Sequence, residues 1–548
     1  MNQKRKNVEP IAQTLSGYVD DCLHILVLVY LFAILLVLPL YFTQGYAFIG
    51  TDKADFFRFL IEKLQWFVIV LLGLKLFFAG LLWFQSHSGS LLNHVEALKQ
   101  CAMEKLSVTD WFAGLFFVSI LISYACSKYK ETAKWGENGW YLGLIPLLAV
   151  MVSYFLISRY ACRGKLPWGK ILIGLGLLVS FGVYVLGILN RFDIRPFEMD
   201  YASYSFLSTV GNINWYCGYQ VTIFFLSVGL LWGEACRNLF LRVLLDIYTY
   251  IGFISLILQG SDSGMLALFG VLCLLFVLSC IGEKTLRRFW EIAGLFSLAC
   301  LTISRIRKHW PDKIDYSTEC LDLLTLGRMP VVLCVFCLFF LILFVLLERK
   351  CPLPSAAYKW IRVIFISALP VGIMVVIGLI MYKTGHPEEL PGLPEKFFVI
   401  SDAWGSNRGA TWKTGWMCFC DMSPGKKLVG VGPDCMYRFL ASVPDHKILE
   451  YCRSIFGDAR LTNAHNEWLT ILVNEGFIGL AGFGGMMISA MYRFLKRGKE
   501  NAWVFGCGLC LFAHTINGIF SFQQTLNLTV IFVVLGFGEA CLRPSQGR

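Results

Sequence analysis

Apolar runs long enough to cross a bilayer recur along almost the whole chain, and this limits its fold more than any other feature. Spanning the hydrocarbon core takes about 20 apolar residues in a helix. Hydropathy predicts about 14 such segments, at residues 23–43, 65–84, 108–126, 140–160, 170–190, 214–233, 240–258, 263–281, 289–304, 329–347, 361–382, 467–492, 502–520 and 527–542. In lipid the chain must satisfy its own backbone N–H and C=O groups, which leaves helices and closed barrels. Barrel strands alternate apolar and polar residues, whereas these runs are apolar throughout. The expected fold class is therefore all-α, a polytopic transmembrane helical bundle with a large external, partly helical loop. Of the 548 residues only 16% are charged, well below the roughly one quarter of a soluble globule. The first run is long enough to span and no small-residue cleavage site follows it, so it is not expected to be a cleavable signal.

The net charge of +11 does not point to nucleic acid, because of where the charges fall. Basic clusters occupy alternate short loops: Lys4-Arg5-Lys6, Arg159/Arg163/Lys165, Arg237/Arg242, Lys284/Arg287/Arg288, Arg349/Lys350 and Arg493/Lys496/Arg497/Lys499. That is the positive-inside bias, and it predicts cytoplasmic N- and C-termini. Residues 51–64 mix Asp52, Lys53, Asp55, Arg58 and Glu62 with large apolar side chains, predicting an amphipathic interfacial helix. The predicted organisation is a transmembrane bundle over 1–382, an external loop over 383–464 and C-terminal transmembrane helices over 465–548. A loop of roughly 80 residues far exceeds an ordinary connection, which points to function. Most of the 20 cysteines lie in apolar runs. Cys418, Cys420, Cys435 and Cys452 lie in the loop, where at most one disulfide is expected. The spacing of Cys418 and Cys420 is too tight for a zinc site.

Where the loop re-enters an apolar segment, the chain reads Asn463-Ala464-His465-Asn466-Glu467-Trp468. Asn463 is a plausible N-cap. It would put His465 in the first helical turn, where the dipole keeps imidazole neutral and able to accept a proton. The alternative is a hydrogen-bonded structural histidine. Arg408 lies in Ser406-Asn407-Arg408-Gly409, and a guanidinium suits phosphate oxygens, although taken alone it reads as an interfacial arginine beside belt tryptophans. Trp412 and Trp416, one turn apart, could face a sugar ring or lipid headgroups. Gly430-Val431-Gly432-Pro433 permits close backbone approach to a ligand, or simply a turn. Asn212 and Asn214 sit at the mouth of a span, where they suit carbohydrate or phosphate, with capping by Asn212 as the alternative. Arg191 and Arg195 are outer-face cations against the charge trend. They hint at an anionic ligand, or snorkel. Asp262, in a short hairpin, could be an acid/base partner or cap the helix that follows, and the cap is the favoured expectation.

Taken together, Gly211-Asn212-Ile213-Asn214, Arg408 with Trp412, Gly430-Val431-Gly432-Pro433, and His465-Asn466 followed by Gly476-x-x-Gly479 resemble the O-antigen ligase and O-antigen polymerase superfamily. Its members are bacterial inner-membrane glycosyltransferases using undecaprenyl-diphosphate-linked glycans. The resemblance implies catalytic roles for His465 and Arg408. It implies substrate contacts by Arg191, Arg195, Asn212, Asn214, Trp412, Gly430, Gly432 and Asn466, with no metal and no cofactor. Implied partners are the lipid-linked glycan, an acceptor glycan or lipid, the membrane and a chain-length regulator. Asp262-Ser263-Gly264 departs from the pattern, because ligases often carry an arginine beside that serine.

The expected activity is metal-independent, inverting glycan transfer to an acceptor hydroxyl at the outer face of the bacterial cytoplasmic membrane. The rival is a flippase for lipid-linked oligosaccharide, which would favour internal repeats and mid-membrane charges. Lys75 and Asp246 are the clearest candidates for such charges.

Overall fold

The computed structural model describes residues 2–86, 105–235, 238–313, 318–350, 352–443, 446–498 and 500–543. Arg237 and Lys499, read above as loop charges, lie outside them. The described chain is almost wholly helical, its one sheet being the pair Phe206–Leu207 and Gly211–Asn212. Fourteen apolar helices are numbered here in chain order: α1 (Asn2–Phe32), α2 (Ile49–Ser86), α3 (Val108–Cys126), α4 (Leu144–Tyr160), α5 (Trp168–Arg191), α6 (Ile213–Trp232), α7 (Leu239–Leu258), α8 (Asp262–Ser279), α9 (Glu283–His309), α10 (Met329–Lys350), α11 (Ser355–Gly385), α12 (Gly476–Arg497), α13 (Ala502–Phe520) and α14 (Thr525–Leu542). All but α4, which has 17 residues, are long and apolar enough to cross a membrane. This is an all-α, multi-pass membrane protein.

Burial orders the helices. Every residue of α6 from Tyr216 to Trp232 is buried, as is every residue of α14 from Thr525 to Ala540. These two form the centre, and α13 packs along α6. A Cβ on Gly229 would lie 2.3 Å from the Cα of Gly506, so the α6 and α13 backbones touch there. At the periphery, the most apolar windows of α2 and α11 contain no buried residue, as expected of lipid-facing helices.

Two expectations fail. Residues 51–64 form no separate interfacial helix but are the opening turns of the continuous α2. The cause is electrostatic: Asp52 accepts from Thr43 N and Oγ1, while buried Lys53 donates to the carbonyls of Leu38, Pro39 and Tyr41. Both charges pin the chain leaving α1. The expected span 467–492 is likewise divided, into a short helix Glu467–Asn474 and α12. Gly476, at φ +71°, turns the chain between them.

The long segment between α11 and α12 folds into a cap. Its helices Trp404–Asp421, Met436–Ser442 and His446–Phe456 share a core that includes Cys418, Phe419, Met436, Leu440, Ile448 and Cys452. Cys418, Cys420, Cys435 and Cys452 carry free thiols.

Candidate functional site

His465 sits at the seam between cap and bundle. It is not in a first helical turn. Asn466 is the N-cap, accepting from Leu469 N at 3.0 Å, while Asn463 accepts from His465 N at 3.0 Å. His465 therefore occupies the turn ahead of the helix, at φ +49°, a conformation costly for a residue with a Cβ. Its ring meets Phe522 edge-on at 4.7 Å, and its Nδ1 is buried with no hydrogen-bond partner among the described residues. Burial, and next the charge of Arg408, lower its pKa to about 4. The ring is neutral, but through desolvation and a neighbouring cation rather than through the helix dipole.

Arg408 follows three consecutive left-handed residues, Gly405, Ser406 and Asn407. This turn curls back beneath the guanidinium. Nη1 donates to Gly405 O at 2.7 Å, Nε to Phe520 O at 2.6 Å, and Nη2 to Asn214 Oδ1 at 3.5 Å. A guanidinium has five N–H donors, so it retains capacity for an anion. Burial lowers its pKa, opposed by the nearby Asp262 carboxylate. Strained backbone at Ser406, Asn407 and His465 converges on one spot, a pattern associated with ligand clamps.

The other predicted residues divide. Asn214 joins the Arg408 cluster, where it also accepts from Ser261 Oγ at 3.1 Å. Trp412 is brought in as well, donating to His465 O at 3.5 Å, with its ring against Trp404 and Phe520. Asn212 caps α6, accepting from Asn214 N. Asn466 is likewise a cap. Arg191 donates to the carbonyls of Leu258, Tyr204 and Gln259, bracing the corner that leads into α8. Arg195 pairs with Asp193 at 3.3 Å and lies by Tyr46 and Ser208. Gly430 and Gly432 serve backbone packing: Val431 N and Gly432 N donate to Val473 O and Asn474 O. Asp262 does not cap α8. Ser261 holds that position, and Asp262 is exposed in the first turn.

Behind His465 lies a feature the sequence reading passed over. A cavity of about 50 Å³ is lined by Asp434, Glu467 and Glu475, together with Asn474, Gln523 and Phe522. It has room for water, which needs at least about 10–15 Å³. Asp434 Oδ2 accepts from Glu137 N at 2.8 Å and Leu142 N at 3.1 Å, and Glu467 Oε2 accepts from Gln523 N at 2.8 Å. The amide oxygens of Asn474 and Gln523 are buried without partners among the described residues. Burial pushes Asp434 up to about 7 and Glu467 up to about 8. Glu475 goes well above the carboxylate range, through burial and then through Glu467. One corner, residues 520–524, ties these parts together: Phe520 O holds Arg408, the Phe522 ring meets His465, and Gln523 N holds Glu467. Two signals for it existed: Glu467 and Glu475 inside a predicted span, and paired glutamines between two apolar runs.

No protein-family model matches the chain, and a search of curated proteins returns no significant match.

Proposed function

We propose that the protein is a glycosyltransferase of the O-antigen ligase or polymerase type, moving a glycan from an undecaprenyl-diphosphate donor to an acceptor hydroxyl. The observation that carries this reading is the pairing of a half-buried, neutral His465, its Nδ1 enclosed, with a half-buried Arg408 close enough to depress its pKa. In this reading Arg408 receives the donor diphosphate on its remaining N–H donors. The anion offsets the arginine charge, so the His465 pKa rises from about 4 toward the working pH. His465 Nδ1 then takes the acceptor's hydroxyl proton as its oxygen bonds to the anomeric carbon. The carbon–oxygen bond to the diphosphate breaks, and the electron pair leaves with the diphosphate, stabilised by Arg408. Attack opposite the leaving group inverts the anomeric centre. Donor binding thus switches on the base.

The test is glycan transfer in a knockout strain complemented at equal membrane levels. His465→Ala and Arg408→Ala are each expected to reduce transfer at least about a hundredfold, with lipid-linked glycan accumulating on the outer leaflet. Full activity in both variants would overturn the site, and donor trapped on the inner leaflet of the knockout would favour a flippase.

A further inference from the structure

At the other end of α12, the bundle opens into a cavity of about 990 Å³. Arg493, on its wall, stands roughly 25 Å along the helix axis from Gly476. Eight basic residues line the cavity against two acidic ones, Asp20 and Glu539. Several of the cations are already held: Arg163 by Asp20 and Asp21, Arg493 by Glu539, and Arg543 by Asp110. Even with Asp21 and Asp110 added to the count, the cations outnumber the carboxylates by four. Lys105, Lys165 and Lys170 form no ion pair with a described residue, and Arg543 Nε is buried without a hydrogen-bond partner among them.

Excess positive charge beside low-dielectric walls is costly unless an anion meets it. The walls also carry Leu106, Leu166 and Leu542, so the lining is amphipathic. The cavity opens where α4 and α12 end and α5 begins, and the end of a spanning helix is where lipid headgroups are met. We propose that this cavity binds the phosphate of an anionic phospholipid. The headgroup lies against Lys165 and Lys170, and the chains run along the apolar wall. Basic recesses between transmembrane helix ends take phosphorylated headgroups by this combination of charge and apolar contact. The proposal is independent of the activity assigned to His465 and Arg408.

The experiment is native mass spectrometry of the purified full chain, titrated with dioctanoyl phosphatidylglycerol, dioctanoyl phosphatidylcholine or glycerol 3-phosphate. The anionic lipid is expected to bind at least about tenfold tighter than the zwitterionic one. Lys165→Glu with Lys170→Glu is expected to abolish that preference. Lys413→Glu with Lys427→Glu, the same charge change placed on the cap, is expected to retain it. Equal binding of the two lipids, or equal loss in the cap variant, overturns the site. Glycerol 3-phosphate binding as tightly as phosphatidylglycerol overturns the lipid assignment, because the ligand would then be a soluble phosphate.

Discussion

In the proposed transferase, His465 is a poor base until donor diphosphate offsets the Arg408 charge beside it, and this gives the site a signature in pH. The free-enzyme pKa governs kcat/KM and that of the complex governs kcat. The acidic limb of kcat/KM, where activity rises as the base loses its proton, is therefore expected near the His465 value of about 4, with that of kcat at higher pH once diphosphate offsets the arginine. Coincident limbs would refute donor-coupled activation. Removing the cation acts in the same direction without donor: Arg408→Ala is expected to raise the His465 pKa, measurable by NMR of labelled histidine, because a positive neighbour disfavours imidazolium. The sequence marked both residues by type and position. It could not show that a left-handed turn at 405–407 aims one, or that burial rather than a helix dipole neutralises the other. Those facts depend on what packs around the residues, not on their neighbours in the chain.

Among the elements, the junction between Glu467–Asn474 and α12 shows how a predicted span became two helices. Gly430 and Gly476 both lie at positive φ, where added Cβ atoms would fall 2.0 Å from Asn474 O and 2.4 Å from Leu428 O. Gly430→Ala and Gly476→Ala are each expected to destabilise the protein by about 2 kcal/mol or more. Gly457, at φ +59° with no atom within 4 Å of its notional Cβ, provides the control and is expected to cost only about 1 kcal/mol. Thermal unfolding in detergent ranks the three, and equal losses would remove the packing explanation. Hydropathy missed the division because Glu467–Asn474 is itself mostly apolar, and two glutamates did not outweigh it. The mixture of charged and apolar side chains pointed to an interfacial helix over 51–64, although Asp52 and Lys53 turn inward onto the chain that precedes them.

For the whole molecule, the buried acid cavity couples protonation to folding. The Glu467 pKa is raised from 4.5 to about 8. Below the lower value both folded and unfolded chains carry the proton, and the contribution to stability is at its fullest. It is lost as pH rises toward 8, because the unfolded chain ionises first. Asp434, raised to about 7, acts with the same sign. Glu467→Gln is therefore expected to flatten the decline of unfolding temperature between pH 5 and 8, and an unchanged slope would rule out a neutral buried Glu467. By itself, the sequence determined the all-α membrane bundle with its many apolar helices, and the residue types at Arg408 and His465. It could do so because insertion in lipid is decided by local hydropathy and backbone self-satisfaction. Only the tertiary structure decided which of those residues meet. It brought residues 408, 465 and 520–524 to one seam, enclosed three carboxyls behind it, and assigned Arg191, Gly430 and Gly432 to bracing, because desolvation, charge neighbours and backbone approach arise between segments far apart in the chain.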